Sequence, residues 1–270
     1  MIPNTQKGID YYTFENFTAA GGTQHLFSTR QGGVSTGEYA SMNFSSLLGD
    51  DPDIVMQNYQ RIASLGFPLE GMVLPQQTHS CKVRQVREAD RGKGITAQRD
   101  YTDIDGLITN DPSVTLVTFY ADCVPLYFYD SVQQAIGLSH AGWRGTVGQI
   151  GVRTLEAMAD AYASNPRDIL VGIGPSICKD CFEVGNEVVE EFVHTLDFSG
   201  SFIKPCREKS HKSYIDLQSI NKQSLINAGV AAESIELPGI CTKENPDILF
   251  SHRAMGRRRG SLAAFMRLTK

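Results

Sequence analysis

The chain has 270 residues, of which 41% are hydrophobic and 20% charged, a balance able to bury a substantial core in one large domain or two small ones. Its formal net charge of −5 weighs against a general nucleic-acid binder, which is normally basic. No apolar run approaches the ~18 residues that a membrane helix needs, and MIPNTQKGIDYY lacks the basic-then-apolar pattern of an export signal. Six cysteines in such a chain read as reduced thiols of a cytoplasmic protein rather than a disulfide framework.

Residues 23–50 are rich in Gly and Ser, and FSTRQGGVSTGEYASMNFSSLLGD reads as loops around short strands. Asp51-Pro52 opens a helix, with Asp51 as N-cap and Pro52 at the first helical position. Val55, Tyr59, Ile62 and Leu65 give that helix an apolar stripe, and Gly66 ends it. MVLPQQTHSCKVRQV follows as an apolar entry, a bend carrying His79 and an alternating strand. The polar residues 87–103 read as a mobile loop. Val114–Tyr120, Val124–Tyr129 and Ala135–His140 read as three buried strands, the last two joined by a turn at Asp130-Ser131. After AGWRG, the positions Val147, Ile150, Leu155, Met158 and Tyr162 recur at helical spacing.

ILVGIGP reads as a further strand, and residues 183–196 and 216–228 as helices, the second capped by Asp216. DILFSHRAMGRRRGSLAAFMRL reads as a strand, a basic loop and a last strand. Strands and helices mix without strict alternation, which points to an α+β fold. The site candidates scatter along the whole chain, which points to one domain, residues 1–270.

The chemistry concentrates between Thr118 and Gly145. Cys123 lies in ADC between two strands, and His140 closes a strand before AGWRG. With His79 they form a two-imidazole, one-thiolate set of the kind that holds catalytic zinc with one position open. The same residues also suit a nucleophilic Cys123 with His140 as its base, or simply a packed thiol and two hydrogen-bonded imidazoles. Asp122 is a candidate for orienting a histidine or for acid/base work, against the plainer role of capping a turn. AGWRG between strand and helix, with Arg144, suits an anion, and Arg30 in STRQGG offers a second guanidinium. Either arginine could equally form a structural ion pair.

Cys178 and Cys181 form the only CxxC, but no second CxxC follows and Cys206 and Cys241 stand singly, so reduced thiols near a strand end are the simpler reading. Arg253, Arg257, Arg258 and Arg259 share one loop, read as solvated or as a rim around an anionic substrate. Six histidines without an HxH pair cannot assemble a multicopper cluster within one chain, although a single copper in place of zinc fits the same ligands.

Taken together, FSTRQGG, YASMNF, GDDP, QQTHS, DIDGLIT, ADCVP, SHAGWRG, GPSI, FEVG and the terminal SHR…GR resemble, in order and over nearly the whole chain, the bacterial laccase-domain (polyphenol oxidase-like) family. Its members are described as zinc-dependent purine nucleoside phosphorylases with adenosine deaminase activity. The resemblance implies a single layered α+β domain, with mixed β-sheets packed between helices, similar to the cytotoxic necrotizing factor catalytic domain. It implies His79, Cys123 and His140 as zinc ligands and purine nucleosides (adenosine, inosine, 5′-methylthioadenosine) plus phosphate as substrates. Arg30 and Arg144 then become candidates for phosphate, Asn43 for the base or ribose, and Asp122 for proton shuttling. Members usually carry glycine where this chain has Ser80. A metal-free cysteine hydrolase using Cys123 and His140, a copper-dependent polyphenol oxidase, and a non-catalytic nucleotide or anion sensor remain the alternatives.

Overall fold

The computed structural model describes residues 1–269. The chain opens with the hairpin β1 (Ile2–Gln6) and β2 (Ile9–Thr13), whose two turn residues Lys7 and Gly8 both have positive φ, the geometry that suits the twist of a tight hairpin. Next come α1 (Glu15–Ala20), β3 (Thr23–Ser28), α2 (Pro52–Ala63), β4 (Met72–Val73), β5 (Val83–Gln85) and β6 (Gly106–Thr109). The central run is β7 (Thr115–Tyr120), β8 (Val124–Asp130), β9 (Ala135–Ala141), α3 (Trp143–Val147), α4 (Ile150–Tyr162) and β10 (Ile169–Ile173). The last third holds β11 (Glu183–Gly185), α5 (Asn186–Thr195), β12 (Ile203–Pro205), β13 (Lys212–Ile215), α6 (Leu217–Asn227), β14 (Ile235–Glu236), α7 (His252–Met255) and β15 (Leu262–Leu268).

Two six-stranded mixed sheets dominate, in the orders β1-β2-β3-β15-β7-β4 and β14-β10-β8-β9-β6-β5, beside a small sheet β11-β13-β12. Strand alternation explains how they stack. Leu116 and Tyr120 of β7 and Ala264 and Met266 of β15 meet Tyr127, Tyr129, Ile136 and Leu138 of β8 and β9 in one cluster between the sheets. Alternate residues of the first sheet, Val117, Ala263 and Phe265, pack outward on Val55, Tyr59 and Ile62 of α2. Alternate residues of the second, Val124, Leu126 and Phe128, pack on Ile150 and Met158 of α4 and on Ile220 of α6. The result is helix, sheet, sheet, helix, an α+β arrangement in which β8 and β9 are buried on both faces. That is why VPLYFYD and AIGLSHA carry almost no polar alternation.

The Asp51 side chain accepts the Asp53 N–H at 2.8 Å and Pro52 begins α2, as its sequence predicts. Other expectations are corrected. The helix expected after AGWRG is broken: Gln149 sits at φ 56°, in the left-handed region, separating α3 from α4. Residues Glu183–Gly185, expected as a helix start, pair with Lys212–Tyr214 as a strand. Asp247–Phe250, expected as a strand, is a turn in which the Ile248 and Leu249 N–H groups bond the Asn245 carbonyl. The 87–103 segment is tied down by Asp90, whose carboxylate meets Lys93 at 2.8 Å and Arg84 at 3.2 Å. Among the described residues no helix is long and apolar enough to cross a membrane.

Candidate metal centre and active-site cleft

Two chain crossings place the site. Between β4 and β5 the chain passes from the first large sheet to the second and carries His79; between β7 and β8 it makes the same passage and carries Cys123. His140 lies near the end of β9, on the same face as Leu138 and Ile136, and its ring tilts against Tyr120 at 5.5 Å. One end of the inter-sheet layer thus gathers three donors whose ligating atoms all lie within 4.8 Å of one another.

These donors fit a metal. A tetrahedral zinc with Zn–N and Zn–S bonds of about 2.0 and 2.3 Å puts N and S about 3.6 Å apart. The Cys123 Sγ to His79 Nε2 distance is 3.8 Å. The neighbouring backbone leaves no slack: a Cβ on Gly142 would stand 2.5 Å from His79 Cδ2 and 3.3 Å from Cys123 Sγ. This is the physical requirement behind the glycine of HAGWRG.

Asp105 builds the site from behind. Its fully buried carboxylate accepts the N–H groups of Thr78 (3.0 Å), His79 (3.1 Å) and Ser80 (2.8 Å), together with the Ser80 hydroxyl (3.0 Å). It also accepts His140 Nδ1–H at 2.8 Å, which leaves Nε2 free to ligate. Burial alone would raise the Asp105 carboxyl; the hydrogen bonds from His140, Thr78 and Ser80 overcome it and hold the group at about 2. His79 is kept at φ 65° by this carboxylate, and Ser80 contributes a hydroxyl to the same carboxylate. Burial opposes charge on both Cys123 and His140, yet each draws the other toward its ionised form, so the thiol falls and the imidazole rises from their ordinary values.

A cleft of about 760 Å³ opens over these ligands. Val55, Met56, Leu74, Ile95 and Phe119 supply apolar lining, and Arg253 and Arg259 line the same cleft. Arg259 is half-buried, and its Nε–H is buried without a partner among the described residues. Burial lowers its guanidinium from the ordinary value, while the charges of Asp122 and Cys123 oppose that shift.

The remaining sequence candidates fall elsewhere. Asn43 is fully buried; its amide N–H groups bond Asp50 and the Ser45 carbonyl and its oxygen accepts the Ser261 N–H, so it braces a loop and is not among the residues lining the cleft. Arg30 bonds the carbonyls of Ala40 and Pro246 and stacks over Phe250, away from the cleft lining. Arg144 is exposed on α3, stacked on Trp143 at 4.2 Å, and does not line the cleft. Asp122 does line it, but its two oxygens accept the Thr242 hydroxyl and the Arg253 N–H, each at 2.6 Å, so its carboxylate braces the cleft wall. Asp105 does not stand out in the sequence, because nothing in DIDGLIT separates it from Asp103 or signals three amides waiting for its carboxylate. Arg253 and Arg259 were visible only as members of a basic loop.

A family profile described as multi-copper polyphenol oxidoreductase laccase matches residues 24–269. The chain belongs to that family. Family relatives include the purine nucleoside phosphorylase YlmD of Bacillus subtilis, 36% identical over 89% of this chain and 86% of its own. The purine nucleoside phosphorylase of Bacteroides thetaiotaomicron is 34% identical, covering 95% of this chain and 96% of its own. Adenosine deaminase RL5, from an unknown prokaryotic organism, is 37% identical over 85% of this chain and 88% of its own. The crystal structure of YlmD from Geobacillus stearothermophilus superposes with a TM-score of 0.89 at 33% identity, covering 99% of this chain and 98% of that one.

Proposed function

We propose that this family member is a zinc-dependent purine nucleoside phosphorylase with adenosine deaminase side activity. The observation that carries the reading is the juxtaposition of a His–Cys–His donor set, braced by Asp105, with an apolar wall and the cationic Arg259 in one cleft. The relatives named as phosphorylases and as a deaminase supply the reaction class.

His79, Cys123 and His140 hold the metal, which when bound supplies a Lewis acid for substrate polarisation and an activated water for deamination. The purine lies along Met56, Leu74, Ile95 and Phe119. Arg259 receives phosphate, the positive charge of its guanidinium matching a phosphoryl oxygen, with Arg253 also lining the cleft. In phosphorolysis a phosphate oxygen forms the bond to C1′ as the C1′–N9 bond breaks, its electron pair passing to the base, which takes up a proton. Fixed guanidinium charge at the phosphate lowers the barrier by meeting charge already oriented for it.

The deciding experiment incubates adenosine with the purified protein, with and without phosphate. Adenine formed only with phosphate supports phosphorolysis, and inosine formed without it supports deamination; no turnover of either kind, with zinc bound, rejects the proposal. Full metal content and full phosphorolysis in Cys123→Ser would reject the ligand assignment. One observation favours a second reading: Asp105, His140 and Cys123 also stand in the order of a hydrolase triad, with the thiol pulled down by its histidines. Near-stoichiometric zinc in untagged protein excludes a metal-free hydrolase.

A further inference from the structure

We propose that Cys178, Cys181, Cys241 and Glu244 form a second metal site, a closed structural zinc clamp separate from the His79–Cys123–His140 centre. Along the sequence Cys241 stands alone, more than fifty residues beyond the CxxC pair. The fold removes that separation: Ser176 and Cys241 form a parallel bridge, and the Thr242 N–H bonds the Ser176 carbonyl at 3.1 Å. One donor atom from each of the four residues then lies within 4.8 Å of the others.

The spacing fits the ion. Tetrahedral zinc with Zn–S of about 2.3 Å and Zn–O of about 2.1 Å sets S and O about 3.6 Å apart. Cys181 Sγ and Glu244 Oε1 are 3.6 Å apart. The Cys178 N–H points at Cys241 Sγ at 3.3 Å, which ties the CxxC turn directly to the third sulfur. A disulfide between any two cysteines would leave the third sulfur and the carboxylate unused. Three thiolates and one carboxylate are a donor set for a thiophilic, tetrahedral dication, and four protein ligands leave no open position for catalysis.

The local packing shows what such a clamp would do. Ile177, Cys181 and Cys241 form a small apolar cluster of their own, outside the three large cores. Yet these two segments make part of the cleft wall. Ile177 and Phe182 line it, the Ile177 N–H bonds the Asp122 carbonyl, and Thr242 bonds the Asp122 side chain one residue from Cys123. Arg253, also lining the cleft, donates to the Cys181 and Glu183 carbonyls at 3.3 and 2.9 Å. Zinc here would fasten 178–181 to 241–244 and so fix the wall that carries Arg253, where apolar burial alone is thin.

The test counts metal in the full, untagged chain purified under reductant with zinc and then desalted. Two zinc ions per chain are expected, falling to one in His79→Ala/His140→Ala and to one in Cys178→Ser/Cys241→Ser. Cobalt substitution of His79→Ala/His140→Ala gives a separate reading that does not depend on the cysteine variant folding. Intense thiolate-to-cobalt charge-transfer absorption with tetrahedral visible bands is expected there, and Glu244→Gln should weaken the cobalt in chelator competition. A cobalt spectrum that vanishes in the double-histidine variant overturns the proposal, as does a Cys178–Cys181 disulfide in protein kept under reductant, or iron with visible absorption in place of zinc.

Discussion

At the residue scale, the centre depends on one carboxylate that touches no substrate. Asp105 fixes three consecutive amides of the His79 turn and the tautomer of His140 together. Asp105→Asn keeps the size but reverses one hydrogen-bonding edge, placing an N–H₂ where amide donors and His140 Nδ1–H now converge. Losses of about 10–100-fold in metal affinity are expected from removing such an outer partner, measured by chelator competition, with phosphorolysis falling in parallel. Unchanged affinity would show that the three ligands are placed by packing alone. Arg259 tests the other half of the cleft. Arg259→Ala should raise the KM for phosphate at least about tenfold while leaving zinc content intact, and Arg259→Lys should restore only part of it, since lysine lacks the fork of donors. His79, Cys123 and His140 were legible in the sequence because each is a chemically capable residue at the end of a strand-like run. Arg30, Arg144 and Asn43 looked equally capable, but whether a guanidinium or amide faces a cleft or a carbonyl depends on partners such as Pro246 and Ser261, more than 200 residues away.

At the element scale, local signals held where local chemistry decides the matter. Asp51 caps α2 as expected, and Asp51→Ala should cost about 1 kcal/mol, read as a fall in Tm of about 2 °C with activity unchanged. The same periodicity argument overran at Gln149, because apolar spacing continues through a left-handed residue without any sign of the break. Glu183–Gly185 became a strand because its partner Lys212–Tyr214 lies beyond a helix, and the sequence carries no record of that pairing. The polar 87–103 segment misled in the other direction: its charges pair inward instead of dispersing into solvent. Asp90 is 7% exposed, and although burial would raise its carboxyl, bonds from Lys93, the Arg87 N–H and Arg84 leave it below its ordinary value. Its folded-state pKa is therefore below its unfolded one, so its stabilisation is present above the ordinary carboxylate range and is lost as the pH falls through it. Thermal melts should show Asp90→Asn less stable than the parent at pH 7, with the difference shrinking below about pH 4. A constant difference across that range would mean that the Asp90 charge contributes nothing.

At the scale of the whole molecule, the proposed metal ligands coincide with the places where the chain changes sheet. His79 and Cys123 each sit on a passage from the first large sheet to the second, and His140 near the end of a strand beside them. Farther along β8 and β9 from His140, Tyr129 and Ile136 fill the layer with apolar contact and need no such fastening. A bound ion would therefore hold together the end that the cleft leaves poorly packed, and binding to the folded state alone must appear as stability. Free zinc at about 100 times its Kd should raise unfolding free energy by about 2.7 kcal/mol over the metal-free chain, a shift of several degrees in Tm. The comparison that isolates this centre sets the parent beside His79→Ala/His140→Ala, each melted across a zinc titration. The part of the Tm rise that the double variant loses belongs to the sheet crossings, and the part that it keeps belongs to any other site. If the variant and parent rose equally, the His–Cys–His donors would not be joining the sheets, and the cleft end would owe its shape to the Asp105 and Asp122 hydrogen bonds alone.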